Sequence, residues 1–298
     1  MANVEHLNKL KQGAKIWINW LDNRRQLELD FIDANLSNIN LREVYLVKAN
    51  LNRANLCSAE LGSANLTGAN LQEAELIDTD LQEANLSNAN LQSAYLIDAD
   101  LSNANLIGAD LRKARCRSAN FSYANLIGTS MRQASLRRVN FMGAKLNRAN
   151  LSETAASEAC FDQADLSDTN FYEAELQSAS FYKANLYRAK AIAAHLSKSY
   201  LLAANLSAAT ATNSDFRWAN LSYAILESAN LQQANLRGAN LTKADLKGAD
   251  LTKADLRGAN LTKADLRNAN LTGANIEETI FDKAMLQGTI MPDGTRHN

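Results

Sequence analysis

Apolar and polar positions along the chain repeat with a period of five residues, which runs from residue 31 to residue 286 without insertion or deletion. Each unit has one large apolar residue, here called the centre, and a small residue two positions before it. Of the 52 centres 38 are Leu and none is charged, while Ala fills 41 of the 51 small positions. Five residues turn an α-helix by about 500°, so the centres would not line one helical stripe. The pattern therefore excludes a long amphipathic helix.

Extended backbone accommodates the same pattern. The small residue and the centre then share one face, because side chains alternate along a strand. The next inward residue is three positions away, so the chain must bend once per unit. With bends of about 90°, four units close a turn of 20 residues, and the 52 units predict about 13 coils. We therefore predict an all-β solenoid over residues 29–290.

Phenylalanine spacing offers a check on the 20-residue turn. All eight Phe occupy centres, and Phe121, Phe141, Phe161 and Phe181 are each 20 residues apart, as a ladder on one inner face requires. Alanine replaces a large centre at residues 156, 191 and 211, and the last two are again 20 apart. Looser packing is therefore expected between residues 190 and 212.

The units from Ala229 to Leu261, ANLQQANLRGANLTKADLKGADLTKADLRGANL, resemble the pentapeptide-repeat protein family, whose pattern is A(D/N)LXX. The resemblance implies a right-handed quadrilateral β-helix that is often dimeric. Trp17 and Trp20, together with the sequence MPDGT at 291–295, look like the ends of cyanobacterial members. A subset of the family protects DNA gyrase by mimicking DNA, whereas most members have no assigned activity.

Residues 1–28 lie outside the repeat and contain apolar residues at helical spacing, which Gly13 divides into two short helices. The stripe consists of Val4, Leu7, Leu10, Ile16, Trp17, Trp20 and Leu21. We expect these helices to cap the first coil, whose exposed edge would otherwise template aggregation. The alternative is a helix that docks on a partner.

The C-terminal coil carries apolar residues where water-facing Asn or Asp usually stands. Ile280 and Ile290 immediately precede a centre position, and Met291 follows in the tail at 291–298. These three residues predict either a homodimer seam or a cap.

Charge is balanced overall but banded along the sequence. The chain has 31 Lys and Arg against 32 Asp and Glu, which argues against a generic nucleic-acid binder. Residues 71–110 nevertheless hold eight acidic residues and no basic one, and residues 111–150 hold nine basic residues and no acidic one. Seven more acids follow between residues 153 and 175. Balance in the total therefore conceals a basic belt at 111–150.

In the 20-residue register, two pairs of arginines from this belt stack, Arg112 on Arg132 and Arg117 on Arg137, with Arg138 beside them. These arginines are candidate partner-binding residues, because like charges in a grid repel unless an anion or acidic partner covers them. The alternative is a solvated face that the flanking acidic belts neutralise.

A second candidate surface consists of outward aromatic and aliphatic residues. Tyr172 should stack on Ile192, and Tyr182 on Leu202, just after centre positions. Further aromatics in the same third of the chain are Tyr187, Tyr200, Trp218 and Tyr223. Such residues anchor interfaces or form cross-coil ladders that stiffen the sheet.

No catalytic constellation is evident in the sequence. The cysteines Cys57, Cys116 and Cys160 have no zinc-ligand spacing, and the three histidines are far apart, so we expect no metal and no cofactor. Mean hydropathy of −0.29 and the lack of an 18-residue apolar run predict no membrane helix. With no secretory apolar stretch at the N-terminus, we expect a cytoplasmic protein.

Three functions remain. A non-enzymatic scaffold for protein–protein interaction is favoured by the repeat geometry. A DNA mimic acting on gyrase is the alternative that the resemblance suggests, although the basic belt counts against it. Nucleic-acid binding through residues 111–150 is a further alternative, while the balanced total charge makes nucleic acid the less favoured partner.

Overall fold

The structure, a computed structural model, describes residues 2–22 and 27–298. It comprises two compact units, Met1–Asn150 and Leu151–Asn298, each built from the same pentapeptide. Met1 and residues 23–26, which belong to the predicted cap, lie outside the described residues.

Parallel pairing between coils fixes a turn of 20 residues in both units. Every parallel bridge joins a residue to the one 20 positions later, as in Asn35 with Asn55 and Asp215 with Asn235. Around the first of these, the Leu36 N–H donates to the Asn55 carbonyl at 2.7 Å, and the Asn55 N–H donates to the Ala34 carbonyl at 2.9 Å. Four pentapeptides per turn, as the sequence predicted, are thereby confirmed within each unit.

The prediction of an all-β fold needs a correction. Among the described residues, β-pairing is limited to isolated bridges, one per pentapeptide, and no continuous strand forms. The regular secondary-structure elements of these residues are the two helices Val4–Leu10 and Ala14–Leu21. Each pentapeptide consists of a three-residue segment that ends at the centre, followed by a two-residue turn. Only the residue just before the centre therefore forms a β-bridge to the coils on either side. The fold is solenoid-like, with bridges in place of strands.

The bend in each pentapeptide depends on a residue with left-handed backbone. In all 52 units the residue two positions after the centre has φ between +53° and +73°. The small residue that follows closes the turn, as where the Ala34 N–H donates to the Phe31 carbonyl at 3.0 Å. Positive φ at the third residue of such a turn is the signature of type II. Non-glycine residues there carry a conformational cost that the repeated packing must offset.

Asparagine and aspartate before the centres serve this bend and the stacking together. The Asn35 Oδ1 accepts from the Ser37 N–H at 3.1 Å, which is an Asx turn across the centre. Neighbouring coils add side-chain ladders, as where Asn70 Nδ2 donates to Asn50 Oδ1 at 3.2 Å and Asn90 Nδ2 donates to Asn70 Oδ1 at 3.1 Å. These hydrogen bonds account for the polar residues at this position.

Centres and small residues form the core of each unit. The Phe121 and Phe141 rings stack at 5.3 Å in the first unit, and the Phe161 and Phe181 rings at 5.0 Å in the second, as the 20-residue spacing predicted. Centres near the alanine substitutions keep slight exposure, 6% at Ala191 against 0% for all four of these rings. This slight exposure agrees with looser packing between residues 190 and 212, although the centres Phe281 and Leu286 at the C-terminal end are more exposed.

Two helices cover the first coil, and Gly13 separates them as predicted. Helix α1 spans Val4–Leu10 and helix α2 spans Ala14–Leu21. Gly13, with φ of +99°, precedes α2. The Trp17 side chain is fully buried, and its ring centroid lies 5.7 Å from that of Phe31, the first centre. The cap thereby places the core's first ring out of water.

The cap also satisfies backbone groups at the N-terminal edge. Trp17 Nε1 donates to the Tyr45 carbonyl at 2.8 Å, and the Asn3 N–H donates to the Asp30 carbonyl at 3.1 Å. The buried His6 accepts from the Asp30 N–H through Nδ1 at 3.3 Å. Polar groups of the helices therefore replace the hydrogen bonds that a preceding coil would make.

Candidate interaction surfaces

The C-terminal end of the second unit is an open edge. Phe281 and Leu286 are centres, yet both are only partly buried, and Ile280 next to them is 50% exposed. Within residues 27–298, the N–H groups of Phe281 and Leu286 and the carbonyl of Ala284 have no hydrogen-bond partner. The edge therefore offers apolar surface, donors and acceptors together.

The tail covers one part of this end. Ile290 pairs antiparallel with Arg296, and the Gly288 N–H donates to the His297 carbonyl at 2.7 Å. Ile290 and Met291 are consequently partly buried, whereas Ile280 is exposed. Of the three predicted dimer residues, the structure thus leaves Ile280 most accessible, and it adds Met285, which is 45% exposed.

The arginine grid has the register that the sequence predicted. The Lys113 N–H donates to the Arg132 carbonyl at 3.0 Å, and the Ser118 N–H donates to the Arg137 carbonyl at 3.0 Å. The side chains of the predicted grid are all exposed, at Arg112, Arg117, Arg132, Arg137 and Arg138.

Arg112, however, is neutralised from outside the belt. Its Nε and Nη2 hold both carboxylate oxygens of Asp110, with Nη2 at 2.6 Å from Oδ2. Burial alone would raise the pKa of Asp110, but the hydrogen bonds and charge of Arg112 outweigh it and hold that pKa below its ordinary value. Counting charge by 40-residue bands missed this pair, because Asp110 belongs to the acidic band.

The Arg112 pair exemplifies a rule of the pentapeptide. An acid just before a centre binds a basic residue just after it, since both flank the same inward side chain. The second unit repeats the arrangement at Asp215 with Arg217 (2.7 Å), Asp245 with Lys247 (2.9 Å), Asp255 with Arg257 (2.7 Å) and Asp265 with Arg267 (2.6 Å). Acids in this position that are followed by a basic residue two positions later are therefore engaged locally.

Three lysines at a left-handed corner of the second unit have no such ion pair within residues 27–298. Lys243, Lys263 and Lys283 lie 20 residues apart, and all three are exposed. The Lys243 N–H donates to the Thr262 carbonyl and the Lys263 N–H to the Asp282 carbonyl, which places the three on successive coils. This lysine column was missed in the sequence analysis, although the 20-residue spacing of the lysines is a visible signal.

The predicted aromatic surface divides into two. Tyr172 and Ile192 occupy one corner, as the Glu173 N–H bond to the Ile192 carbonyl shows. Tyr182 and Leu202 occupy the corner two pentapeptides, half a turn, away, where the Lys183 N–H donates to the Leu202 carbonyl. The structure therefore does not bring these two pairs together.

The Tyr182 corner belongs to a larger aromatic patch that spans one face, its two corners and the bridge position of the next face. Its members share exposure of apolar atoms and neighbouring register positions, and they are Tyr182, Tyr200, Leu202, Trp218, Tyr223 and Ile225. The rings of Tyr182 and Tyr200 are 6.4 Å apart. Trp218 is 62% exposed and lies over Gly238, where any Cβ would collide with the indole.

Chemically reactive groups are isolated or shielded. Burial raises the pKa of the Cys116 thiol to about 12, which keeps it protonated and unreactive. His195 Nε2 lies 3.9 Å from Glu175 on the next coil, and both side chains are about half exposed. In the part of the chain that the structure describes, no three His, Cys, Asp or Glu residues are grouped so as to hold a metal ion. The two described helices are each too short to cross a membrane.

Comparison with known proteins identifies relatives of this repeat. The family model described as pentapeptide repeats matches residues 34–72, 74–113, 114–152, 149–186, 159–197, 184–222, 199–238, 219–258 and 259–292. No curated protein sequence matches the chain.

Solved structures of similar sequence include HetL, a pentapeptide repeat protein involved in heterocyst differentiation regulation from the cyanobacterium Nostoc sp. strain PCC 7120. It is 37% identical, the match covers 70% of this chain and 91% of HetL, and the TM-score is 0.47. Rfr23 from the cyanobacterium Cyanothece 51142 is 40% identical over 28% of this chain and 59% of its own, with a TM-score of 0.22. A protein of the Arabidopsis thaliana thylakoid lumen is 33% identical over 35% of this chain and 66% of its own, with a TM-score of 0.23.

The family model matches far more than half of the sequence, and four of its pentapeptides make up each 20-residue turn of the structure. The chain belongs to the pentapeptide repeat family.

Proposed function

We propose that the chain is a non-enzymatic scaffold for protein–protein interaction, built on a right-handed quadrilateral β-helix of about 13 coils. The aromatic patch carries the proposal. Tyr200, Trp218 and Tyr223 are 40%, 62% and 52% exposed at positions where the repeat elsewhere places mostly polar or charged residues. Rigidly held aromatic side chains contribute large contact area at low entropic cost, which is why interfaces concentrate them.

Site-specific photo-cross-linking tests this proposal. Tyr200 is replaced with a photoreactive phenylalanine analogue, and the matched control carries the analogue at Tyr172, which is 41% exposed against 40% for Tyr200 but on the other corner. We expect discrete protein adducts in source cells from position 200 and few from position 172. Equal adducts at both positions, or none at position 200, would contradict the patch as a docking surface.

The arginine grid is a second proposed contact of the same scaffold. Arg117, Arg132, Arg137 and Arg138 are exposed on neighbouring coils, and Arg112 is paired with Asp110. Loss of one charge from the grid weakens the alternative of nucleic-acid binding, whose affinity depends on the number of cations offered to phosphates. Local pairing of acids with bases equally weakens the gyrase alternative, since a DNA mimic presents unneutralised acid.

A second copy of the chain is the proposed partner of the C-terminal edge. That edge holds both donors and acceptors, at the Phe281 and Leu286 N–H groups and the Ala284 carbonyl. A two-fold axis brings identical surfaces together, so an edge with both kinds of group is self-complementary. Ile280 and Met285 would then be covered by their counterparts.

A further inference from the structure

We infer that the lysine column of the second unit, Lys243, Lys263 and Lys283, binds the acidic face of an α-helix on a protein partner. The inference rests on the proposed scaffold function and names the chemistry of one partner. The positive charge of these lysines is not compensated by the acidic residues around them.

Acids near the column are already engaged. Asp245 and Asp265 each lie two residues after a column lysine, but Lys247 holds Asp245 at 2.9 Å and Arg267 holds Asp265 at 2.6 Å. The side chain of Asp265 is only 11% exposed. These carboxylates therefore do little to neutralise the column.

Two residues modify the ends of the column. Tyr223 precedes Lys243 in the same register, and Lys243 Nζ lies 2.7 Å from its hydroxyl and 4.7 Å from its ring centroid. At the other end, exposed Asp282 precedes Lys283 and reduces the positive charge there. No side-chain hydrogen bond or ion pair involves Lys263, within residues 27–298. The strongest uncompensated charge is thus at Lys263, with Lys243 beside it.

The spacing of the lysines fits a helix. Successive coils are about 4.8 Å apart, the ordinary separation of paired β-segments. Acidic residues at i, i+3 or i+4, and i+7 of an α-helix recur about every 5–6 Å along its axis. A helix laid along the column would therefore place one carboxylate near each lysine over three coils.

Single-stranded nucleic acid fits the same charges less well. Such ligands combine backbone neutralisation with stacking of bases on exposed aromatic faces. Tyr223 is the aromatic residue of this column, and one face of its ring already contacts Lys243 Nζ, 4.7 Å from the ring centroid. Thr242 and Thr262, which precede two of the column lysines, offer no stacking surface.

Fluorescence anisotropy with designed probes tests the inference on the full chain. The probe is a labelled helical peptide of about five turns with Glu at i, i+4, i+7 and i+11 on one face. Its control is an isomer of equal composition and charge with the Glu residues spread around the helix. A third probe is labelled oligothymidylate of about 20 nucleotides.

The protein variants are K263Q/K283Q and the control K253Q/K198Q. Lys253 and Lys198 are exposed lysines at the same left-handed position on other corners, and Gln233 shows that Gln occupies this position, with φ of +58°. All four changes therefore keep the fold and remove the same charge.

We expect the one-faced peptide to bind more tightly than its isomer, and K263Q/K283Q to weaken it about tenfold while the control pair stays within about twofold. Added salt should weaken the wild-type complex, because the contact is exposed and ionic. Equal affinity for both isomers, unchanged binding by K263Q/K283Q, or tighter binding of oligothymidylate would overturn the inference.

Cross-linking from position 200, compared with peptide binding by the chain whose lysines are unchanged, separates the two proposals. Adducts from position 200 without any binding of the one-faced peptide to that chain would remove the lysine column and keep the scaffold. Peptide binding without adducts in source cells would keep the column and remove the aromatic patch.

Discussion

The two ends of the repeat differ in how they terminate the same pentapeptide. At the N-terminal end, Phe31 is fully buried beneath Trp17, and Trp17 donates to an edge carbonyl. At the C-terminal end, Phe281 is partly exposed and its N–H has no partner within residues 27–298. Since the repeating residues are alike, the difference comes from the segments outside the repeat.

The contrast shows that a terminal pentapeptide coil lacks apolar contacts and backbone hydrogen bonds on one side. A centre is buried by coils on both sides, and its backbone pairs in both directions, so a terminal coil has half its apolar contacts and an unsatisfied edge. Fifteen helical residues in α1 and α2, seven and eight respectively, supply both kinds of contact at one end. The short tail supplies them in part at the other.

The largest expected effect comes from removing the cap's central contact. Trp17→Ala deletes a fully buried indole and the hydrogen bond to Tyr45, so we expect a loss of about 3–5 kcal/mol in the free energy of unfolding. Denaturant unfolding followed by circular dichroism measures it. Trp218→Ala, at a side chain 62% exposed, serves as control and should cost less than about 1 kcal/mol. Equal losses would contradict the cap's role.

Truncating the first and last aromatic centres compares the ends directly. Phe31→Ala should cost about 3–5 kcal/mol, because the ring is fully buried, and Phe281→Ala about half as much in the monomer. Both variants are compared by denaturant unfolding at one low protein concentration. A larger loss at Phe281 would show that the C-terminal end is closed.

Hydrogen exchange at the edges should depend on concentration at one end only. We expect the amides of Phe281 and Leu286 to exchange rapidly in dilute protein and to gain protection as concentration rises. The Leu36 amide, which donates to the Asn55 carbonyl at 2.7 Å, should stay protected throughout. Mass spectrometry of peptides from each end provides the measurement. Slow exchange at Phe281 in dilute monomer would refute the open edge.

A smaller effect is expected in the pH dependence of the free energy of unfolding, which should differ between one ion pair near each end. The hydrogen bond from Arg267 lowers the pKa of Asp265, and the hydrogen bond from Arg53 lowers the pKa of Asp33. A carboxyl whose pKa is lower in the folded state stabilises the fold fully above its unfolded pKa, and this contribution is lost as pH falls through the folded value.

Replacement of Asp265 with Asn should therefore flatten the loss of stability between about pH 5 and pH 2 more than Asp33→Asn does. The Asp265 side chain is 11% exposed and that of Asp33 45%, so water screens the second pair more strongly. Thermal unfolding of both variants across this range measures the difference. An identical pH dependence for the two variants would disprove the ranking.

Much of the fold follows from the sequence because one period governs it. The 20-residue turn, the Phe pairs and the division of the cap at Gly13 all come from spacing and steric need. The left-handed residue in every unit was not foreseen, since Lys, Glu or Arg occupies it in 19 of the 52 units. Backbone closure, rather than side-chain preference, imposes that conformation.

Candidate surfaces were harder to predict, because they depend on neighbours across a coil. Counting charge along 40-residue bands did not reveal the ion pair between Asp110 and Arg112. It also did not reveal the uncompensated charge of Lys263, because the nearby Asp265 is paired with Arg267. Grouping aromatics by sequence distance likewise joined Tyr172 to Tyr182, which lie half a turn apart. Which side chains become neighbours depends on the position of each residue within its pentapeptide and on its place in the 20-residue coil.

Sedimentation equilibrium of the full chain, compared with I280K/M285K, tests most directly whether the C-terminal end is an interface. The wild-type protein should approach twice 32.6 kDa as concentration rises, and the double variant should stay at 32.6 kDa. Ile225→Lys, at a side chain 42% exposed but away from that end, should dimerise as the wild type does. A wild-type mass of 32.6 kDa at every concentration would contradict the account, and so would a double variant that still forms the dimer.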